Sequence, residues 1–132
     1  MNITREIKFR IWDKDNNKML HYDNDIVPCL TLNGVLQDCS KEVSSNVSYK
    51  YEIMQFTGLL DKNGKEIYES DIIQTDVNLK KWIVYEEDYA WYVKNIGSNE
   101  KYPLGVYKKL ISVASSKLEV IGNIYQNKNL IN

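Results

Sequence analysis

Val47-Ser48-Tyr49-Lys50-Tyr51-Glu52-Ile53-Met54-Gln55-Phe56-Thr57-Gly58 is the stretch on which the fold turns. Val47, Tyr49, Tyr51 and Ile53 fall on one parity and Ser48, Lys50 and Glu52 on the other, the period of two that a half-buried β-strand requires. Just beyond it, Asn63-Gly64 sits inside Asp61-Lys62-Asn63-Gly64-Lys65. That pair marks a hairpin whose two central residues both take positive φ. Working outward, Ile3, Ile7, Phe9 and Ile11 alternate with Thr4, Glu6, Lys8 and Arg10, a second half-buried strand. The apolar-free run Asp13 to Lys18 and the following Met19-Leu20-His21-Tyr22 complete a hairpin with it.

Past Tyr68, Asp71-Ile72-Ile73-Gln74-Thr75 reads as a short strand. Trp82-Ile83-Val84-Tyr85 and Tyr89-Ala90-Trp91-Tyr92-Val93 read as two aromatic strands joined by a solvated acidic turn, Glu86-Glu87-Asp88. Leu118, Val120, Ile121, Ile124 and Tyr125 close the core, and Gly122 among them marks a bulge or a close backbone approach. Two regions are less regular. Residues 23–48 are the most loop-like, with Pro28, Asn33-Gly34 and a polar run from Lys41 to Asn46. Residues 105–116 read as loop with room for one short helix. The whole is all-β, mainly short strands, and a small barrel or sandwich closes so many edges.

Composition narrows the function. Seventeen Lys and Arg against eighteen Asp and Glu give a net charge of -1, unlike a protein whose whole surface neutralises phosphates. Ile26 to Gln37 is broken by Pro28, Thr31, Asn33 and Gly34 and falls short of the roughly 18 apolar residues a membrane span needs. The first residues lack the pattern of a secretory signal, so a cytoplasmic location and no membrane partner are expected. Cys29 and Cys39, ten positions apart, match neither a zinc framework nor a redox pair and read as buried or inert thiols. The six glycines form no phosphate-cradling loop.

Three constellations remain. His21 with Asp23 and Asp25 has metal-ligand chemistry but reads as a turn rich in Asp. Glu66, Glu69 and Asp71 are a carboxylate group of the kind glycoside hydrolysis uses, and read as turn and strand-start residues. Lys8, Arg10 and Trp12 on one strand face, with Lys80 and Lys81 before Trp82, form a candidate interaction surface on which bases stack between cations. The ten Tyr and three Trp also suit a protein interface, where both act as anchors. No catalytic, metal or cofactor residues are assigned. The expectation is a non-enzymatic protein that binds another protein, with a nucleic-acid-binding module as the alternative, and with homo-oligomerisation through strand edges open to it.

Arg5-Glu6-Ile7-Lys8-Phe9-Arg10-Ile11-Trp12-Asp13, the run from Met54 to Glu69, and Val120-Ile121-Gly122-Asn123-Ile124-Tyr125 together resemble, in order and spacing, the YopX family of bacteriophage and prophage proteins. The resemblance implies an N-terminal β part over 1–56, a C-terminal SH3-like barrel over 57–132, the two packed as one compact unit, and a place in the host bacterial cytoplasm. It implies a phage accessory protein and supplies neither an activity nor a catalytic residue set. Members of the family usually have Gly at the position of Ser70; if that position needs positive φ, Ser carries a modest strain there.

Overall fold

The computed structural model describes residues 6–21, 25, 28–38, 45–76, 79–113 and 117–131. Ile3, Tyr22, Asp23, Cys39 and the Lys41 end of the polar run therefore lie outside the described residues. The strands and α-helix of the described residues are β1 (Phe9–Asp13), β2 (Lys18–His21), β3 (Cys29–Leu30), β4 (Leu36–Asp38), β5 (Ser45–Asn46), β6 (Tyr51–Leu60), β7 (Glu66–Tyr68), β8 (Asp71–Thr75), β9 (Lys81–Glu87), β10 (Ala90–Asn95), β11 (Lys101–Pro103), α1 (Leu104–Val113) and β12 (Leu118–Asn123). Among the described residues the fold is mainly β with one short α-helix. By its internal contacts the chain divides into two units, Lys8–Met54 and Met1–Ile7 with Gln55–Asn132.

In the Lys8–Met54 unit, β1 pairs antiparallel with β2, Ile11 opposite Leu20, and β3, β4 and β5 form a small antiparallel sheet. Ile11, Leu20, Leu36 and Val47 are its core, with Leu30, Tyr51 and Ile53 packed against them. The sequence pattern departs from the structure in three ways here. Residues 48–50 form a 3-10 turn rather than a strand, because side chains compete for the backbone: the Leu36 amide donates to Ser48 Oγ (2.9 Å) and the Ser48 amide to Asn46 Oδ1 (2.9 Å). Tyr49 is thereby turned outward. β1 is buried on both faces, Arg10, Trp12 and Asp13 as well as Ile11, because alternation reports polarity and not what covers the second face. Cys29 is exposed on β3, which removes burial, though not inertness, from the reading of its thiol as buried or inert.

The second unit is built on a five-stranded antiparallel sheet of order β11-β10-β9-β8-β12. Inward-facing Ile73, Trp82, Val84, Val93, Leu118 and Val120 form a core with Ile67, Leu104 and Tyr107. Its aromatic centre is Trp82, with ring centroids 4.8 Å from Tyr107 and 5.7 Å from Tyr102. The β6–β7 hairpin belongs to this unit from Gln55 on, and its turn is not the one the Asn63-Gly64 pair suggests. Of the two only Gly64 takes positive φ (79°), with its amide donating to Asp61 O (3.1 Å). The reason is Asp61, whose Oδ1 accepts the Asn63 and Lys65 amides at 2.8 and 2.9 Å and so holds the preceding residues in an ordinary turn. Residues with positive φ at both central positions occur instead at Asp88-Tyr89 (50° and 66°), the loop between β9 and β10.

Ser70 has φ 71°, in the left-handed region that favours Gly. It is held there because its amide donates to Val84 O (2.8 Å) and its carbonyl accepts the Ile124 amide (3.1 Å). Ser70→Gly removes the Cβ clash at this backbone and is expected to raise stability by about 0.5–1 kcal/mol, read as a higher urea midpoint with unchanged slope. A lower midpoint contradicts the strain.

Candidate functional site

Of the six residues of the sequence-derived interaction surface, three are buried. Arg10 and Trp12 are 5% and 8% exposed, and Trp82, at 2%, is the centre of a core. An indole so buried offers no face to a base. Lys8 is half-buried ahead of β1; Lys80 pairs with Glu100 at 3.6 Å; Lys81 is half-buried on β9. Lys8, Arg10 and Trp12 belong to the Lys8–Met54 unit and Lys80, Lys81 and Trp82 to the other. Of the acidic constellations, Asp25 has a structural role, with Oδ2 accepting the His21 amide (2.8 Å) and Oδ1 facing Lys18 Nζ (3.5 Å). The His21 amide first, and Lys18 after it, holds its carboxyl below the usual range. Of Glu66, Glu69 and Asp71, Glu66 opens β7, Asp71 is 1% exposed and accepts the Tyr68 amide (2.8 Å), and Glu69 lines a cavity. Among the described residues no three His, Cys, Asp or Glu side chains are grouped to hold a metal ion, and no helix is long and apolar enough to cross a membrane.

That cavity is a groove of about 450 Å³ lined by Gln55, Glu69, Glu86, Tyr89, Ala90 and Trp91. Two local structures build it. The turn between β7 and β8 is tied to β6 by the Glu69 amide on Gln55 O (2.9 Å) and the Gln55 amide on Glu69 Oε1 (3.4 Å), and to β9 by the Ser70 amide. The backbone at Ser70 thus fixes where Glu69 points. Opposite, the β9–β10 pairing sets Glu86 across from Trp91. Trp91 shares its sheet face with fully buried Val93 and packs against the core, yet remains half-exposed at the groove. Glu86 Oε1 accepts the Tyr89 amide (2.8 Å), closing the loop.

Tyr89 is the unusual member. It is fully exposed, at 101%, and it occupies the second loop position, where the positive φ that it adopts costs an L-residue with a bulky side chain roughly 1–2 kcal/mol. Its ring recovers none of that by burial. The described lining holds two carboxylates, Glu69 and Glu86, and neighbouring Glu87 is paired with Lys101 Nζ at 2.9 Å. That pairing holds Glu87 below, and Lys101 above, their usual ranges. The groove is therefore acidic and aromatic, the reverse of the basic surface read from the sequence. Glu86 had been read only as part of a solvated turn. The one signal for the site in the sequence is Asp88-Tyr89 standing where Asn-Gly or Asp-Gly is the usual choice.

Comparison with known proteins gives the wider context. Two solved structures resemble the chain along its length. Protein EF1440 from Enterococcus faecalis is 25% identical, with a TM-score of 0.61 over 98% of this chain and 100% of that one. Protein yopX from Bacillus subtilis is 22% identical, with a TM-score of 0.60 over 94% and 97%. No curated protein matches the sequence. The family model described as YopX protein matches residues 8–132, a range that takes in the three segments that carry the likeness except for Arg5-Glu6-Ile7, and the chain is a member of the YopX family.

Proposed function

We propose that this chain is a non-enzymatic accessory protein of bacteriophage or prophage origin that works in the host cytoplasm by binding another protein. The observation that carries this reading is the groove, where a strained, fully exposed Tyr89 stands beside half-exposed Trp91. Exposed aromatics at a concave site are the anchors that protein interfaces favour, and backbone strain uncompensated by burial is characteristic of functional positions. The SH3-like character of residues 57–132 is part of the same proposal, supported by five short antiparallel strands around one small core. The carboxylates of Asp61 and Asp71 favour a binding role over a catalytic one, since backbone amides already occupy them.

Capture with tagged protein from a lysate of a bacterial host, with and without nuclease, tests the proposal. The expected result is a protein partner that survives nuclease and is lost on Tyr89→Ala. Nothing retained above background overturns the reading, and partners that vanish with nuclease transfer it to nucleic acid.

A further inference from the structure

We propose that the outer face of the five-stranded sheet binds a single strand of nucleic acid, its bases against Tyr85 and Tyr92 and its phosphates on Lys81, Lys94 and Lys101. The face lies within the Gln55–Asn132 unit, on the side of the sheet away from the Trp82 core. It uses neither Tyr89 nor Trp91, and so goes beyond the protein-binding reading. Register assembles it, because residues opposite one another on antiparallel strands share a face and alternate with the buried set. Tyr85 stands opposite Tyr92 and Tyr92 opposite Pro103, while Lys94 stands between Ile83 and Lys101. Lys81, two positions before Ile83 and opposite Gln74, extends the same face.

The charge of this face is positive. Glu87 is held by Lys101 at 2.9 Å, and Glu119, opposite Gln74 on β12, by Lys62 at 3.4 Å. Among the described residues Lys81 and Lys94 enter no ion pair. Lys94 and Lys101 are moreover like charges directly opposite each other, which costs stability that a bound anion restores. Two features favour nucleic acid over an acidic polypeptide. The partly exposed Tyr85 and Tyr92 rings, with centroids 6.0 Å apart and planes at 38°, make a platform of the kind on which bases stack. Lys101 Nζ lies 6.0 Å from the Tyr92 centroid, so a base on that ring brings its phosphate to an ammonium that has donors beyond the one given to Glu87. A duplex hides its bases from such a platform, which selects a single strand.

The test adds the intact purified chain to a fluorescein-labelled oligothymidylate of about twelve nucleotides and reads its anisotropy. Purified components keep the outcome separate from capture of a protein partner. The expected result is saturable binding whose log K falls with log salt at a slope of about −2, the three lysines contributing roughly 0.7 each. In Lys81→Gln/Lys94→Gln, checked for an unchanged urea midpoint, the slope shrinks to about −0.7 and low-salt affinity drops about tenfold or more. Tyr92→Leu, which keeps apolar bulk on the sheet, weakens binding about fivefold or more, and an abasic strand of equal length loses as much on the wild-type chain. The proposal is overturned by an absence of saturable binding, by a salt slope that the lysine substitutions leave unchanged, or by an abasic strand that binds as tightly as the oligothymidylate. Polyglutamate competing as well as the oligothymidylate also overturns it, and makes an acidic polypeptide the occupant.

Discussion

Gly122→Ala is expected to destabilise the Gln55–Asn132 unit by about 3 kcal/mol, although it adds a single methyl group. A Cβ at Gly122 falls 2.4 Å from Asn127 Oδ1, 2.5 Å from its Cγ and 3.0 Å from its Cβ. Rotating the amide about its Cβ–Cγ bond does not relieve the clash, because Asn127 Cγ stays 2.5 Å away. Asn127 is also fixed in place: its Oδ1 accepts the Asn123 amide (3.1 Å) and its own amide donates to Asn123 O (3.0 Å). The methyl thus displaces the turn that follows β12 or the strand itself, where the register against β8 already shifts between Val120 and Gly122. Denaturant midpoints measure the loss. Asn127→Gly in the Gly122→Ala background removes the obstructing side chain and should restore most of the stability. A double variant with simply additive losses excludes the steric account.

Asp61→Ala is expected to cost about 3–4 kcal/mol, since three backbone amides lose a charged acceptor at once. Asp61 is 8% exposed; Oδ1 accepts the Asn63 and Lys65 amides, and Oδ2 accepts the Val120 amide at 3.0 Å, joining the β6–β7 turn to β12. Burial acts to raise its pKa, but the amides of Val120, Lys65 and Asn63, helped by the Lys65 charge, outweigh burial and leave it below the ordinary 3.8. The sign follows from linkage. The folded chain holds this proton less tightly than the unfolded chain, so the stabilisation is complete well above 3.8 and is lost as the pH falls through that value to the lower folded-state pKa. The gap in urea midpoint between wild type and Asp61→Asn should therefore be present at neutral pH and close as the pH is lowered into the acid range. A gap that stays constant down to strongly acid conditions contradicts this role.

The strands that could be read from the sequence are those whose own residues specify them. β8, β9, β10 and β12 carry runs of β-branched and aromatic side chains, and β6 from Tyr51 continues an alternation. The misread positions depend on remote groups. Tyr49 is turned out because Ser48 and Asn46 bond to the backbone of distant or neighbouring residues, and the turn at Asn63-Gly64 takes its form from Asp61. α1 spans Leu104–Val113 where the sequence, rich in β-branched residues, left only room for a short helix. The site was the least legible part. Glu69 and Glu86 line one groove, and the Ser70 amide bonded to Val84 O ties the β7–β8 turn to β9, a contact no local pattern encodes, while Arg10, Trp12 and Trp82 looked like a surface because a period of two cannot say which faces are covered.

The order β11-β10-β9-β8-β12 has a kinetic consequence. Strands β8 to β11 join neighbours in sequence and zip together as successive hairpins, with little chain entropy spent on each closure. β12 is different, because it must return past the whole meander and α1 to reach β8, and so it bears the largest loop-closure cost in the sheet. Any state in which β12 is undocked bares the edge of β8, whose Ile72 and Ile73 are 0% exposed in the folded chain. Gly122 and Asp61 both act on the docking of β12, so they set how long that sticky edge stays open to a neighbouring molecule as well as how stable the finished sheet is.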